Sequence, residues 1–167
     1  MLKKILFAFF IVFVCSSLSF SKNLKVGINT GVYTPSNGQS SVMYGIYADY
    51  AIDKSLSLRA EADTTTYTDS NNVQQTYTPI SLLAMYVFDG FKLVYPYVNG
   101  GPILSILKNS QSTAQTLGAR VGCGIMNKVG PFSIGFDLSY FAYDINNLSQ
   151  GTTTYNVSGV GNIAVDI

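Results

Sequence analysis

The chain has 167 residues, with ten basic and nine acidic side chains, twelve tyrosines, ten phenylalanines, two cysteines, and neither histidine nor tryptophan. A charge balance this close to neutral offers no electrostatic footprint for a nucleic acid. The lack of histidine removes Ser-His-Asp catalysis, histidine-assisted membrane proteases and acyltransferases, and imidazole metal sites, and no cofactor site is legible.

At the N-terminus Lys3 and Lys4 precede an apolar run from Ile5 to Val14, and small and polar residues follow. That is the layout of a secretory signal peptide. The run is too short to cross a bilayer as a helix, which needs roughly 17 apolar residues. Ser19-Phe20-Ser21 puts small residues where a signal peptidase reads, so cleavage is expected after Ser21, with the bond after Ser19 as the alternative. Cys15 invites a lipoprotein reading, but Val14 stands where such a signal needs a small residue. The expected division is a signal peptide over 1–21 and one domain over 22–167. That domain carries eight basic residues against nine acidic ones, and Cys123 is its only cysteine, so it has no internal disulfide.

Charged residues make up only 11% of the chain, while Tyr, Phe, Gly, Ser, Thr and Asn abound, a mixture that favours strands and turns. No long apolar stripe of helical period occurs beyond the signal peptide, whereas period-two alternation recurs throughout. Alternating stretches bounded by polar clusters predict eight strands, at 24–33, 41–52, 56–68, 76–88, 94–107, 116–126, 132–143 and 155–167. Each has about the ten residues that a tilted strand needs to cross a bilayer, well beyond the 5–6 or so of an average soluble strand. The gaps run seven, three, seven, five, eight, five and eleven residues, so odd connections are long and even ones short. Barrels that start and finish in the periplasm have this asymmetry. Long gaps are polar, as in Thr34-Pro35-Ser36-Asn37-Gly38-Gln39 and Asn146-Asn147-Leu148-Ser149-Gln150-Gly151; short ones carry the turn pairs Asp53-Lys54, Asp89-Gly90 and Gly130-Pro131.

The two faces of each strand differ sharply. In the second, Val42, Tyr44, Ile46, Ala48, Tyr50 and Ile52 oppose Met43, Gly45, Tyr47 and Asp49. In the third, Leu56, Leu58, Ala60 and Ala62 oppose Ser57, Arg59, Glu61 and Asp63. The sixth sets Leu117, Ala119, Val121, Cys123 and Ile125 against Gly118, Arg120, Gly122 and Gly124. The seventh sets Phe132, Ile134, Phe136, Leu138 and Tyr140 against Ser133, Gly135, Asp137 and Ser139, and the eighth sets Ile163, Val165 and Ile167 against Asn162, Ala164 and Asp166.

Alternation alone fits a soluble barrel with its apolar face inward as well as a membrane barrel with that face outward. Three details favour outward. The polar face is poor in Lys and Glu and rich in Gly, which suits a crowded lumen. Its charges, Lys25, Arg59 and Arg120 against Asp49, Glu61, Asp63 and Asp137, nearly balance, as a buried set must; these seven are the expected lumen charge network. Tyr44, Tyr140 and Tyr155 fall near one set of strand ends, and Tyr50, Tyr86, Phe88 and Phe132 near the other, forming two aromatic belts. The expected fold is all-β, an eight-stranded antiparallel up-and-down transmembrane β-barrel.

The signal peptide, the segment Tyr95-Pro96-Tyr97-Val98-Asn99-Gly100-Gly101 opening the fifth strand, and a C-terminal strand alternating to an apolar end carry a family likeness. With them the chain resembles the small eight-stranded outer-membrane barrels of the outer-membrane protein A and X type. The resemblance spans residues 22–167 and lies in patterns, so it speaks for architecture more than for activity. It implies the outer membrane of a Gram-negative cell, a setting of lipid bilayer and lipopolysaccharide, and delivery by the outer-membrane assembly machinery. Such barrels usually close on Phe, where this chain has Ile167, although Ile163, Val165 and Ile167 keep the spacing. No appended peptidoglycan-binding domain is expected. Enzymatic members of this class lean on a histidine, which this chain lacks.

Among residues with latent chemistry, Glu61 and Asp63 share a face about 7 Å apart, the arrangement of an acid/base pair. The plainer expectation is that they neutralise Arg59 and Arg120. Gly118, Gly122 and Gly124 lack the following helix that a phosphate loop requires, and are expected to relieve curvature or make room for tyrosines. Cys123 is expected on the lipid side as a small hydrophobe. Asn147-Leu148-Ser149 and Asn156-Val157-Ser158 match glycosylation acceptors, which imply nothing in a bacterial outer membrane. The expected function is therefore non-enzymatic, a structural or surface-interaction role displaying four polar loops to a partner the sequence does not name. The alternatives are a narrow barrel that transports or binds a small solute, and a soluble lipocalin-like periplasmic carrier. Because the lumen must house Tyr33, Tyr47, Arg59 and Arg120, an open water channel is not expected.

Overall fold

A computed structural model describes residues 23–89, 94–142 and 155–166. The expected signal peptide and its cleavage point lie outside them, as does the connection 143–154. Eight strands follow one another: β1 (Leu24–Pro35), β2 (Ser41–Ala51), β3 (Leu56–Thr68), β4 (Gln74–Val87), β5 (Tyr95–Lys108), β6 (Thr113–Val129), β7 (Phe132–Ala142) and β8 (Tyr155–Asp166). Each pairs antiparallel with the next, and β8 returns to β1 along a seam from Lys25↔Asp166 to Pro35↔Asn156. The barrel is closed, so no strand edge is left unpaired. The start of β1 and the end of β8 lie at one end, the turn end, with the β2–β3, β4–β5 and β6–β7 connections. The odd connections lie at the opposite, loop end.

The alternation locates every strand to within three residues, with β6 the largest departure. It runs three residues further at each end than expected, pairing Thr113 with Lys108 of β5 and Val129 with Phe132 of β7. Gly130, at φ 62°, lets β6 reverse into β7 over residues 130–131 alone. The polar residues Thr113–Gln115 had the composition of a loop, but backbone pairing does not depend on an apolar face. The long-short rhythm of the gaps is corrected accordingly. Only residues 109–112 separate β5 from β6, while 88–94 separate β4 from β5, so the final connection, 143–154, is the one long loop-end gap.

The apolar face points outward on all the strands whose side chains are described. Ile28, Val42, Ile46, Leu82, Val121 and Ile163 are exposed, and in β7 Leu138 is 48% exposed where its neighbour Asp137 is 1% exposed. A soluble carrier needs the reverse, so that alternative does not describe this chain. Tyr44 and Tyr140 sit exposed near the loop end, and Tyr50, Tyr86, Phe88 and Phe132 near the turn end. The side chain of Tyr155 lies outside the described residues. Cys123 is exposed among the outward residues of β6.

Candidate functional site

The inward side chains stack in three layers. At the loop end Tyr33, Tyr67 and Tyr77 pack with ring centroids 5.2 and 5.7 Å from Tyr33. Phe141 meets Tyr33 and Tyr77 edge-on, and Met43 and Val160 complete the cluster. Near the turn end Met85, Tyr97 and Met126 form a second apolar layer. Tyrosines fit because glycines face them. A β-carbon on Gly27 would lie 2.4 Å from the Tyr47 ring, and one on Gly124 would lie 2.4 Å from that of Tyr97. Gly122 makes room for Ser139 and Asn99 instead, its β-carbon position being 2.7 and 2.8 Å from their oxygens.

Between the two apolar layers lie the charges. Arg59 of β3 grips Asp49 of β2 through two bonds, Nε at 2.7 Å and Nη2 at 2.9 Å. Its guanidinium lies 4.3 Å from the centre of the Tyr47 ring and its Nη1 is 3.9 Å from Glu61. Arg120 of β6 reaches across the lumen: Nη1 is 2.7 Å from Glu61 and 3.7 Å from Asp63, Nη2 is 3.3 Å from Asp137, and Nε donates to Ser139 at 2.9 Å. Asn29 donates to Glu61, Tyr97 and Asn99 donate to Asp137, and the Ser139 hydroxyl makes a short bond to Asp137. Removing charges from water is costly, and only pairing with further hydrogen bonds offsets it. Arg59 and Arg120, whose side chains are almost wholly buried, meet both requirements themselves, while Glu61 Oε2 and both Asp63 oxygens are left with ion-pair contacts at 3.7–3.9 Å or none.

Six of the seven predicted lumen residues thus converge. Lys25 stands apart, half-buried at the turn end with Nζ 3.4 Å from Ser133. It lines, with Asp49, Ser57, Lys54, Tyr95 and Lys128 among others, a cavity of about 320 Å³ at that mouth. Residues that the face analysis passed over, Asn29, Tyr77, Tyr97, Asn99 and Phe141, are buried in the lumen. The pair Glu61 and Asp63 has the spacing of an acid/base couple, but both side chains are buried and lie 2.7 and 3.7 Å from Arg120 Nη1. Among the described residues, no three of Cys, Asp and Glu gather as a metal site.

Outside the spanning strands two carboxylates organise connections. Asp53 accepts from the backbone N–H of Ser55 at 2.7 Å and of Leu56 at 2.8 Å, bonds that hold its carboxyl below the usual range. Asp69 accepts from the N–H of Val73 and from Gln75, with the same result. The first two loop-end connections are tied together, Gln39 N–H to Thr68 O at 2.9 Å and Ser70 N–H to Asn37 O at 2.8 Å.

No family model and no curated protein matches the sequence. Among solved structures, Neisserial surface protein A (NspA) superposes with a TM-score of 0.69 at 19% identity, over 88% of this chain and 98% of that one. Ail, the attachment invasion locus protein of Yersinia pestis, gives a TM-score of 0.58 at 12% identity, over 86% of this chain and 95% of its own. The outer-membrane enzyme PagL gives 0.54 at 18%, over 86% and 99%. The fold is that of the small outer-membrane barrels. Its neighbours include a surface protein, an attachment protein and an enzyme, so the architecture is common to different activities and function must be argued from the lumen and loops.

Proposed function

We propose that the chain is a bacterial outer-membrane barrel with a structural and surface-interaction role, exported by a cleaved signal peptide and displaying its loop end outside the cell. The observation that carries this reading is a lumen occupied by buried side chains: an aromatic cluster, a paired charge layer and a Met-Tyr cluster lie one above another. An eight-stranded barrel encloses just enough space for such a filling. What remains available is the outside of the molecule, and the two tied loop-end connections present Ser, Thr, Asn and Gln on a fixed ridge. The burial of Glu61 and Asp63 supports a non-enzymatic role. Lipopolysaccharide and the assembly machinery are partners that this setting implies.

A narrower second reading, a barrel that holds a small solute, rests on the turn-end cavity of about 320 Å³, whose charged rim suits a polar occupant. The apolar layer beneath it supports binding over passage. An epitope inserted between Asn147 and Gly151 should be labelled on intact cells while one at Asp53-Lys54 is not, and the purified barrel should give no steady conductance in a planar bilayer. A labelled turn with a hidden loop would invert the topology, and a stable open channel would sink the structural role.

A further inference from the structure

The turn-end cavity joins an apolar floor to a charged rim. Met85 and Met126, 3% and 9% exposed, line it together with Val87, which packs on the cluster they form with Tyr97. Ser57 of β3 lines it too. That side chain is 7% exposed, and its Oγ has no hydrogen-bond partner among the described residues. A buried hydroxyl left unpaired is costly, so a polar atom entering the cavity beside Ser57 relieves that cost.

The rim carries both signs of charge. Asp49 is held by Arg59 through both of its oxygens. Lys25 stands between Asp49 of β2 and Asp166 of β8 in the register of the wall. Asp53 turns its carboxyl back onto the N–H groups of Ser55 and Leu56. Lys54, Lys128 and Asp89 are exposed and make no ion pair among the described residues, although Lys128 lies 5.9 Å from the centre of the Tyr95 ring. The described charges at this end are therefore Lys25, Lys54, Arg59 and Lys128 against Asp49, Asp53, Asp89 and Asp166, which sum to zero. Two ammonium groups and one carboxylate among them are left without an ion-pair partner.

A singly charged guest would upset that balance above an apolar floor, whereas a guest with one charge of each sign engages both kinds of rim group. The volume of about 320 Å³ stands at the low end of the roughly 300–1,000 Å³ of small-molecule pockets, so the guest is small.

We propose that the turn-end cavity binds a short apolar zwitterion, of the class of a dipeptide with aliphatic side chains. Its carboxylate lies toward the Lys54 and Lys128 amines and its ammonium toward Asp89. Its peptide group hydrogen-bonds the Ser57 hydroxyl, and its side chains rest on Met85, Val87 and Met126. The inference rests on the reading of the barrel as the holder of a small solute, to which it adds the class of solute.

The test uses the whole barrel refolded into lipid nanodiscs, without detergent tails to compete for the floor, and follows the heat of binding of leucyl-leucine. Binding should be saturable. It should be about tenfold or more tighter than that of leucyl-leucine amide, which lacks the carboxylate, or of N-acetyl-leucyl-leucine, which lacks the ammonium, because each omits a charge-assisted hydrogen bond. Glycyl-glycine, without the apolar body, should give no heat at the same concentrations. Combining Lys54→Gln with Lys128→Gln, both exposed and outside the folded core, should weaken leucyl-leucine by about tenfold and leave its amide unchanged, and Ser57→Ala should weaken both. A singly charged analogue that binds as tightly as the zwitterion, or leucyl-leucine binding that survives the double variant, overturns the inference while the solute-holding reading stands. No saturable heat from any of these compounds overturns the inference and counts against that reading as well.

Discussion

Replacing Arg120 by Gln tests the charge layer most directly. The substitution removes contacts at 2.7 Å to Glu61 and 3.3 Å to Asp137, and leaves both carboxylates in a region where Arg120 itself is 1% exposed. Breaking one buried ion pair costs about 3–5 kcal/mol, mostly because the surviving charge stays buried. Two such costs do not add here, since Glu61 keeps the Asn29 amide and Asp137 keeps Tyr97 and Asn99. The expected loss is therefore that of one pair, about 3–5 kcal/mol, read as a lowered urea midpoint with unchanged slope in lipid vesicles. Adding Glu61→Gln removes one stranded charge and should return about 1–3 kcal/mol as a coupling term. A loss below about 1 kcal/mol for Arg120→Gln, or strict additivity in the double variant, would refute the idea that these contacts hold the lumen.

The wall has its own test in Leu138 and Asp137, adjacent residues on opposite faces. Leu138→Arg should cost about 2–4 kcal/mol, and in a Cys123→Ser background a cysteine replacing Leu138 should react with a lipid-soluble maleimide that one replacing Asp137 resists; equal labelling contradicts the face assignment. At the β2–β3 turn the depressed carboxyl of Asp53 fixes a pH signature. Its contribution is fully present above the unfolded value, about 3.9, and is lost as pH falls through the folded value. The stability gap between wild type and Asp53→Ala should therefore be flat near neutrality and close in acid, and a gap that widens in acid would be the wrong sign.

Much of this was legible in the sequence because a barrel wall has a period of exactly two. Once Arg59 is known to point inward, parity sends Glu61, Asp63 and Tyr67 inward with it, and Asp137 carries Ser139 and Phe141. Tyr67 and Phe141 were recoverable by that argument, since each stands an even number of residues from a lumen charge. What parity cannot supply is height and partner choice. Lys25 shares a face with the network yet sits at the turn end, because the strand starts there. Nor does local sequence show that Gly45 opens a space shared by residues from two other strands. The true ends of β6 were hidden for a related reason: beyond the bilayer-facing belt the ladder continues through polar residues, whose composition is that of a loop.

The seam between β1 and β8 governs how such a chain comes to exist. On its second edge β1 pairs only with β8, Lys25 opposite Asp166, nearly the whole chain away, so the first strand waits for the last. Until then the sheet is an open ribbon with two raw edges and an apolar face, the shape most prone to pairing with another copy. Closing so long a loop carries an entropic cost that no hairpin along the way can repay early. Assembly is thus a race between sealing and aggregation, and a chain that lacked its last strand would lose it.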